Sequence, residues 1–245
     1  MSYRFSNDRM LSMGAGLLLD YGLRQIGLRE KDAMIHYDTG KKPALAGGQV
    51  EFSLSHAGDY ALAAFSVMPV GADIEKNADG GVRRQESLGL AERFFTEGEC
   101  AYISRHDESE QAEAFMRLWR LKESFSKMFG FGLTLPLDGY EILPSDGVGE
   151  TKIETPRLRI LTEEVAEEIR NAHKDAAAEG KSSVGEEIFK VYSGAGVTSY
   201  AAQVNKAHMD SAYYFYEFTL PGYGAAVCGM EDAFAAPVDV TEVVL

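Results

Sequence analysis

The hydrophobic and polar positions of the chain follow two patterns, and each predicts one type of element. Apolar residues that recur every three or four positions predict helices, and short runs of β-branched and aromatic residues predict strands. The helical pattern covers residues 7–23, 88–104, 110–129 and 162–181. The strand pattern covers residues 50–56, 61–68, 70–76, 139–144, 157–161, 187–193, 213–220 and 224–230. Strands mixed with helices of unequal length predict an α+β fold rather than a regular βαβ winding.

Composition restricts the class of protein. With 45% apolar residues in 245, the chain can bury a sizeable core. Its formal net charge of -14 argues against binding nucleic acid or an anionic membrane through bulk charge, so a phosphate ligand needs a local basic pocket. The two cysteines, Cys100 and Cys228, form no disulfide framework and fit a reducing compartment. No apolar run is long enough for a membrane span and the first residues lack a signal region, so we expect a cytoplasmic protein.

Two acidic residues in VGADIEK, residues 70–76, have the spacing of one strand face. Asp73 and Glu75 are two positions apart, so both carboxylates emerge on the same side while Ile74 points to the other. Carboxylate oxygens are ligands for Mg2+, which needs only a few of them from the protein. The alternative interpretation is a pair of exposed acids on an edge strand.

A second candidate site lies in LWRLKESFSKMFGFG, residues 118–132. Glu123 and Lys127 are four positions apart and therefore share one face of the predicted helix, with Trp119 one turn before Glu123. This pattern is also typical of an ordinary surface salt bridge beside a core aromatic residue. The stretch alone does not separate the two interpretations.

Two polar motifs precede these acids. FSLSHAG, residues 52–58, ends a predicted strand with Ser55 and His56, whose hydroxyl and imidazole can donate to a phosphate oxygen. GKKP, residues 40–43, offers basic side chains in a predicted turn. A structural histidine and a soluble loop are the alternatives.

Taken together, these motifs resemble a known family. The series GKKP, FSLSHAG, VGADIEK, RFFTEGE and WRLKESFSK resembles, in order and spacing, the motifs of the 4'-phosphopantetheinyl transferases of the surfactin-synthetase-activating type. LPLDGYEI and GYGAAVCGM extend the similarity toward the C-terminus. The resemblance covers roughly residues 4–230, with residues 162–210 similar to an enlarged, family-variable region.

The resemblance implies a fold. We expect a pseudo-twofold arrangement of two similar α+β halves, with the substrate in the cleft between them. The N-terminal half would cover residues 1–68 and the C-terminal half residues 69–245, including the variable region at 162–210. The family usually has a further strand before the helix that is predicted here from residue 7, so we expect a shortened N-terminal half.

The resemblance also implies an activity, that of a holo-[acyl-carrier-protein] synthase. The 4'-phosphopantetheine group of coenzyme A, the co-substrate, moves to a serine of an apo acyl or peptidyl carrier protein, and 3',5'-ADP is released. Mg2+ is the expected cofactor, with Mn2+ as an alternative, and the carrier would serve fatty-acid, polyketide or nonribosomal peptide biosynthesis. We expect a monomer with no nucleic-acid or membrane partner. The rival interpretations are a catalytically impaired module that binds carrier protein or coenzyme A, and a phosphotransferase acting on a small alcohol.

The positions of residues within these motifs imply the role of each one by analogy with the family. Asp73, Glu75 and Glu123 would bind Mg2+, and Lys127 would direct its ammonium at the pyrophosphate. Such an arrangement neutralises the negative charge that grows during phosphoryl transfer. Trp119 would anchor the helix in the core.

The resemblance implies that Glu99 of RFFTEGE is the general base that accepts the proton of the carrier protein's serine. Glu97 is the competing candidate, which helical geometry alone does not exclude. Lys42 and Pro43 resemble the family's adenine- and phosphate-side loop. Ser55 and His56 resemble the pair that holds the phosphates of coenzyme A. The residues expected to bind coenzyme A, the phosphopantetheine donor, are therefore Lys42, Pro43, Ser55, His56, Asp73 and Lys127.

One basic residue of the family pattern is missing. Where the family places a cation on the first helix to meet the 3'-phosphate, this chain has Leu19, and Arg9 and Arg24 are the nearby substitutes. If neither arginine reaches the phosphate, the enzyme should discriminate poorly between coenzyme A and its dephospho form.

For the acidic carrier protein, the stretch GGVRRQESLGLAERFF, residues 80–95, is the expected docking surface. Arg83 and Arg84 supply positive charge there, and Leu88 supplies an apolar contact. A flexible polar loop followed by a helix is an equally good interpretation.

Overall fold

The computed structural model describes residues 6–28, 35–36, 42–46, 50–78, 82–144, 157–178, 197–204 and 213–230. The helices are α1 (Ser6–Gln25), α2 (Val82–Phe94), α3 (Glu97–Ser104), α4 (Gln111–Met128) and α5 (Glu163–Ala178). The strands are β1 (Ile35–His36), β2 (Ala44–Leu45), β3 (Glu51–Ala57), β4 (Tyr60–Ser66), β5 (Val70–Lys76), β6 (Tyr140–Leu143), β7 (Arg157–Ile160), β8 (Val197–Val204), β9 (Tyr213–Leu220) and β10 (Tyr223–Gly229). Helices and antiparallel strands that are not regularly alternated confirm the α+β prediction.

The main sheet has six strands in the order β5-β10-β9-β8-β7-β6. Its pairs are antiparallel apart from the parallel pair of β7 and β8. Helix α4 packs across β5 and β10. Beneath it, the fully buried rings of Phe125, Tyr140, Tyr213 and Phe215 form an aromatic core. The apolar face of α4 is therefore fixed to the sheet by burial, the dominant favourable term in folding.

The first part of the described chain is a hairpin with a helix on it. β3 and β4, which correspond to the strands predicted at residues 50–56 and 61–68, pair in antiparallel register from Glu51↔Ser66 to Ala57↔Tyr60. The turn between them uses Gly58 at φ 54°, a conformation that glycine adopts without strain. Helix α1 packs against both strands, and Gly22 lets it approach, because a Cβ at that position would overlap the ring of Phe65.

Serine hydroxyls join this hairpin to the main sheet. β3 lies against β5, and the backbone N–H of Ala72 donates to Ser53 Oγ at 2.9 Å. The backbone N–H of Ile74 donates to Ser55 Oγ at 3.3 Å. Side-chain oxygens thus satisfy donors on the edge of β5, which would be costly to bury unpaired. The same contact between β3 and β5 brings Ser55 next to Asp73.

Some predicted elements need correction. The continuous helix predicted over residues 88–104 is wrong, because the structure has two helices there, α2 and α3. Thr96 separates them as the N-cap of α3, in a capping box with Glu99. β8 was not predicted, since VTSYAAQV alternates weakly. The strand predicted over residues 187–193 lies outside the described residues. None of the helices in the described part of the chain combines the length and the apolar character that crossing a membrane requires.

Candidate active site

The site forms where β5 meets α4, and one glycine makes this contact possible. A Cβ on Gly71 would overlap the backbone carbonyl oxygen of Ser124 and the backbone N–H of Met128. Only glycine therefore allows the helix backbone to lie directly on the strand. Because side chains alternate along a strand, Asp73 and Glu75 are expected on the same face as Gly71, toward α4.

Asp73 is buried and joined to two partners. Lys127 Nζ donates to its Oδ1 at 2.6 Å, and Ser55 Oγ donates to the same oxygen at 3.0 Å. Lys127 Nζ also donates to Ser55 Oγ at 3.2 Å, which closes a triangle of polar groups from β3, β5 and α4. Burial raises the pKa of Asp73 above its ordinary value, while the Lys127 ammonium and the Ser55 hydroxyl oppose this shift.

Glu123 lies beside this triangle. Burial raises its pKa to about 7; the charge of Lys127 opposes the rise, and the carboxylates of Asp73 and Glu75 add to it. The carboxylate of Glu123 is therefore close enough to those of Asp73 and Glu75 for their charges to interact. Glu75 itself is only partly buried, near the end of β5.

Two carboxylate oxygens in this region have no hydrogen-bond partner. Asp73 Oδ2 and Glu123 Oε1 are both buried without one in the described part of the chain. Buried oxygens of ionisable groups are costly to leave unpaired, and hard divalent cations bind such oxygens. The donor set therefore fits a divalent cation. Among the described residues, however, no group of three or more histidine, cysteine, aspartate or glutamate side chains is arranged to bind a metal ion as it stands.

Glu99 occupies a different place from the one expected of a general base. It is fully buried, and its Oε1 accepts from Lys122 Nζ at 2.6 Å and from the backbone N–H of Ile142 at 2.8 Å. Its Oε2 accepts from the backbone N–H of Thr96 at 3.0 Å. No hydrogen bond or ion pair in the described part of the chain joins Glu99 to Asp73. Glu97, the competitor, is exposed at the start of α3.

Lys122, the partner of Glu99, fastens α4 next to Glu123. Its ammonium also donates to the carbonyl oxygen of Tyr140 at 2.7 Å and lies 4.2 Å from the centroid of the Tyr140 ring. Burial lowers the pKa of Lys122, and the charge of Glu99 opposes this shift. The pair ties α3, α4 and β6 together one residue away from the candidate metal ligand. The sequence patterns predict no role for Lys122, although it lies inside the motif WRLKESFSK.

Arg120 is a second cation that the sequence reasoning missed. Its Nη2 donates to Glu113 Oε1 at 2.7 Å, and its guanidinium lies over Gly224, where a Cβ would come within 2.5 Å of Cζ. Its positive charge lowers the pKa of Asp73, although less than Lys127 does. The signal was its position, three residues before Glu123 and on the same side of the helix. Arg120 therefore adds positive charge beside the acidic cluster.

The loop motif reaches the same region. Lys42 Nζ donates to the carbonyl oxygen of Val70 at 2.8 Å and pairs with Glu51 at 3.2 Å. A Cβ on Gly130, just after α4, would lie 3.1 Å from Lys42 Cβ. Lys42 is thus placed between the start of β5 and the end of α4. Pro43, the next residue, is partly exposed, and residues 40–41 lie outside the described part of the chain.

The remaining predicted residues are more dispersed. His56 is exposed on β3, one residue after Ser55. Leu19 packs in the core under α1, and as an apolar side chain it offers no charge to a phosphate. Arg24 pairs with Asp20 of its own helix at 2.6 Å. Arg9 is exposed on α1.

Of the expected docking residues, Leu88 is partly buried against the cluster that α2, α3 and α4 share. Arg83 and Arg84 belong to the first turn of α2, and their side chains lie outside what the structure describes. Leu90, on the same helix, is 40% exposed.

Comparison with known proteins shows which family and which individual proteins this sequence is similar to. Residues 69–179 match the model of a family described as the 4'-phosphopantetheinyl transferase superfamily. The chain is 36% identical over 135 residues to the 4'-phosphopantetheinyl transferase Sfp of Bacillus subtilis (strain 168), covering 54% of this chain and 57% of that protein. A further 4'-phosphopantetheinyl transferase of Bacillus subtilis is 34% identical over 136 residues, or 56% of each chain.

A vertebrate protein is also similar. The L-aminoadipate-semialdehyde dehydrogenase-phosphopantetheinyl transferase of Xenopus laevis is 36% identical over 149 residues, covering 57% of this chain and 49% of that protein. The chain thus spans about half the length of the curated relatives it matches. The resemblance that the motifs indicate is confirmed.

Proposed function

Since residues 69–179 match the model of the 4'-phosphopantetheinyl transferase superfamily, we propose that the protein is a member and transfers 4'-phosphopantetheine from coenzyme A to an apo carrier protein. The observation that carries this proposal is the arrangement of Asp73, Glu123 and Lys127, in which two buried carboxylates and one ammonium share the contact between β5 and α4. Phosphoryl transfer needs such charges at fixed positions more than it needs covalent chemistry.

Asp73, Glu75 and Glu123 are the proposed ligands of Mg2+, or of Mn2+ in its place. One oxygen each of Asp73 and Glu123 supports this assignment, since it accepts no hydrogen bond from any described residue. When bound, the cation supplies positive charge to the phosphate oxygens of the substrate. Glu75 would complete the set from the exposed end of β5.

Lys127 is proposed to face the pyrophosphate of coenzyme A. The serine oxygen of the carrier protein forms a new bond to the phosphorus nearer the pantetheine, and the bond from that phosphorus to the leaving phosphate oxygen breaks. Negative charge grows on the leaving 3',5'-ADP, where an ammonium stabilises it. Lys42, Ser55 and His56 are proposed to hold the remaining phosphates, because Lys42 and Ser55 already border β5.

The proton of the serine needs an acceptor. The motif proposes Glu99, with Glu97 as competitor, but both oxygens of Glu99 already accept hydrogen bonds in a fully buried network. The contacts favour Glu123, because it lies beside Asp73 at the candidate site and its Oε1 accepts no hydrogen bond from the described part of the chain. A carboxylate has two oxygens, so one can bind the cation while the other takes the proton. In this division of roles Glu99 holds Lys122 and thereby α4.

The carrier protein is proposed to dock on α2. This helix follows β5 after a short connection, so a protein bound to it lies near the exposed end of the acidic strand. Arg83 and Arg84 would meet an acidic partner, and Leu88 and the exposed Leu90 would provide apolar contact. Because the protein carries a net charge of -14, such a local patch is needed to attract an acidic carrier.

The pseudo-twofold arrangement, with halves at residues 1–68 and 69–245, stays part of the proposal. Its support is that α1 covers the hairpin β3–β4 much as α4 covers β5 and β10. The chain passes from β4 to β5 through residues 67–69, at the proposed boundary. A monomeric state, a cytoplasmic location and the absence of nucleic-acid and membrane partners also stay predictions.

Release of 3',5'-ADP tests the proposal against its rivals. A transferase releases it only when coenzyme A, a divalent cation and an apo carrier protein are all present. A binding module retains coenzyme A and releases nothing, and a small-molecule phosphotransferase does not need the carrier. Release without any carrier protein would therefore contradict the proposal.

A further inference from the structure

We propose that the ammonium of Lys127 is a replaceable cation: it neutralises Asp73 while the protein is free of metal, and it leaves that carboxylate when a divalent cation binds. The inference rests on the part of the proposed function that assigns Asp73 and Glu123 to a cation. It adds an order of events, because a lysine released by the metal becomes available to the anionic donor.

The contacts of Asp73 explain why an ammonium is needed there. Its Oδ1 receives Lys127 Nζ at 2.6 Å and the Ser55 hydroxyl at 3.0 Å, whereas Oδ2 has no partner in the described part of the chain. Glu123, which also contributes a partnerless oxygen, interacts with the same ammonium. Buried carboxylates require a compensating charge. Lys127 supplies it to both.

The two members of the pair differ in their freedom to move. The side chain of Asp73 is 3% exposed and that of Lys127 is 28% exposed. Lysine carries its ammonium on a flexible four-carbon stem, so Lys127 can turn toward solvent or a ligand while Asp73 stays in place. Lys127 lies in the last turn of α4, which ends at Met128.

A second lysine on the same helix provides the contrast. Lys122 pairs with Glu99 at the same distance of 2.6 Å, but the side chains are 1% and 0% exposed. Lys122 also donates to Tyr140, and Glu99 accepts from two backbone groups. One helix therefore carries a permanent ion pair at Lys122 and a replaceable one at Lys127.

Electrostatics makes the two cations competitors. A divalent ion on Asp73 Oδ2 would lie a few ångströms from an ammonium on Oδ1, where like charges repel strongly in a partly buried site. The ion pair of Asp73 and Lys127 would then break by movement of the Lys127 side chain. Phosphate oxygens of the donor then offer the displaced ammonium a new partner.

The first test measures the affinity of the protein for Mn2+ alone by calorimetry. Lys127→Met removes the competitor, so we expect about tenfold tighter binding, equivalent to about 1.4 kcal/mol. Lys127→Arg should bind Mn2+ several-fold more weakly than the wild type, because a guanidinium forms a stronger, bidentate pair with a carboxylate. Simple charge repulsion would leave the arginine variant equal to the wild type.

Two further variants complete this measurement. Arg159→Met removes one positive charge from a partly exposed pair with Glu141, away from Asp73, and should leave the Mn2+ affinity unchanged. Asp73→Asn should abolish binding. If Lys127→Met binds Mn2+ no tighter than the wild type, the proposal is wrong.

The second test uses the wild-type protein and does not depend on a variant folding. The rate at which an amine-reactive acylating reagent modifies Lys127 is followed by peptide mass spectrometry, with and without Mn2+. We expect a several-fold faster reaction at Lys127 with Mn2+ and no change at the buried Lys122. An unchanged rate at Lys127, together with saturable Mn2+ binding by the wild type, overturns the exchange and leaves a metal site standing. No saturable Mn2+ binding by the wild type overturns both.

Discussion

Gly71 of β5 lies so close to the backbone of Ser124 in α4 that no side chain fits between them. This contact sets the height of α4 above the sheet and with it the 2.6 Å pair of Asp73 and Lys127, whose positions are 54 residues apart in sequence. The geometry of the candidate site therefore depends on a residue that carries no functional group.

Replacing this glycine tests that dependence. Gly71→Ala should force α4 away from β5 and cost about 2 to 3 kcal/mol of unfolding free energy, as overpacking usually does. Transferase activity should fall further than stability explains, because Asp73 on β5 and Glu123 on α4, the proposed ligands of one cation, move apart. Denaturant unfolding and a rate measurement on the folded fraction check both effects. The matched control is Gly16→Ala in α1, where a Cβ meets no atom within 4 Å. It should leave stability unchanged or raise it by up to about 1 kcal/mol.

The buried pair of Glu99 and Lys122 separates a positioning role from a chemical one. Glu99→Gln leaves an ammonium without its counter-charge and should cost about 3 kcal/mol or more. Adding Lys122→Met removes both charges, and we expect stability and activity to recover together in part. If stability recovers while kcat stays low, Glu99 is the base that the motif predicts.

The same series includes Glu123. Glu123→Gln should lower kcat by at least about a hundredfold, the contribution of a general base, without destabilising the protein. An enzyme that keeps its kcat after this change would exclude Glu123 as the base.

Stability should depend on pH through Glu123. Its pKa is about 7 in the folded protein, against an ordinary value of 4.5, so the folded state binds more protons than the unfolded state between these values. The stabilising effect of its proton is fully present below about pH 4.5 and is lost as the pH rises through about 7. Without divalent cations, the unfolding free energy of the wild type should therefore fall over this range more steeply than that of Glu123→Gln. Urea titrations of both proteins from pH 5 to pH 8 measure the difference, and identical slopes would contradict the burial of this carboxyl group.

Discrimination between coenzyme A and its dephospho form should be weak. The family places a cation for the 3'-phosphate where this chain has Leu19, which is uncharged and buried in the core. The nearby Arg24 is paired with Asp20 of its own helix. The ratio of kcat/KM for the two donors should lie close to one. A strong preference for coenzyme A would show that another cation, such as Arg9, reaches the 3'-phosphate.

The sequence alone predicts which residues share a face when their spacing matches the period of a single strand or helix. Asp73 and Glu75 alternate along a strand, and Glu123 and Lys127 stack on a helix, so each pair could be placed before the fold was known. The motif order then predicted that the two pairs meet, and the structure brings Asp73, Glu123 and Lys127 together.

Contacts between distant elements were not predictable in the same way. The helical pattern of residues 88–104 concealed the break at Thr96, and with it the fact that Glu99 completes a cap. Nothing in the spacing shows that Glu99 faces Lys122 or that Ser55 bonds to Asp73, because tertiary packing determines both. Burial decides which acid is free to react, and a sequence pattern does not measure burial.

The most direct test of the central claim is the intact mass of an apo acyl carrier protein after incubation with this protein, coenzyme A and Mg2+. We predict a gain of one phosphopantetheine group, and no gain when Asp73→Asn replaces the wild type. Folding of the variant, verified by its unfolding transition, ensures that the loss reflects the site. An unmodified carrier after incubation with folded wild-type protein, or equal modification by the variant, would contradict the account.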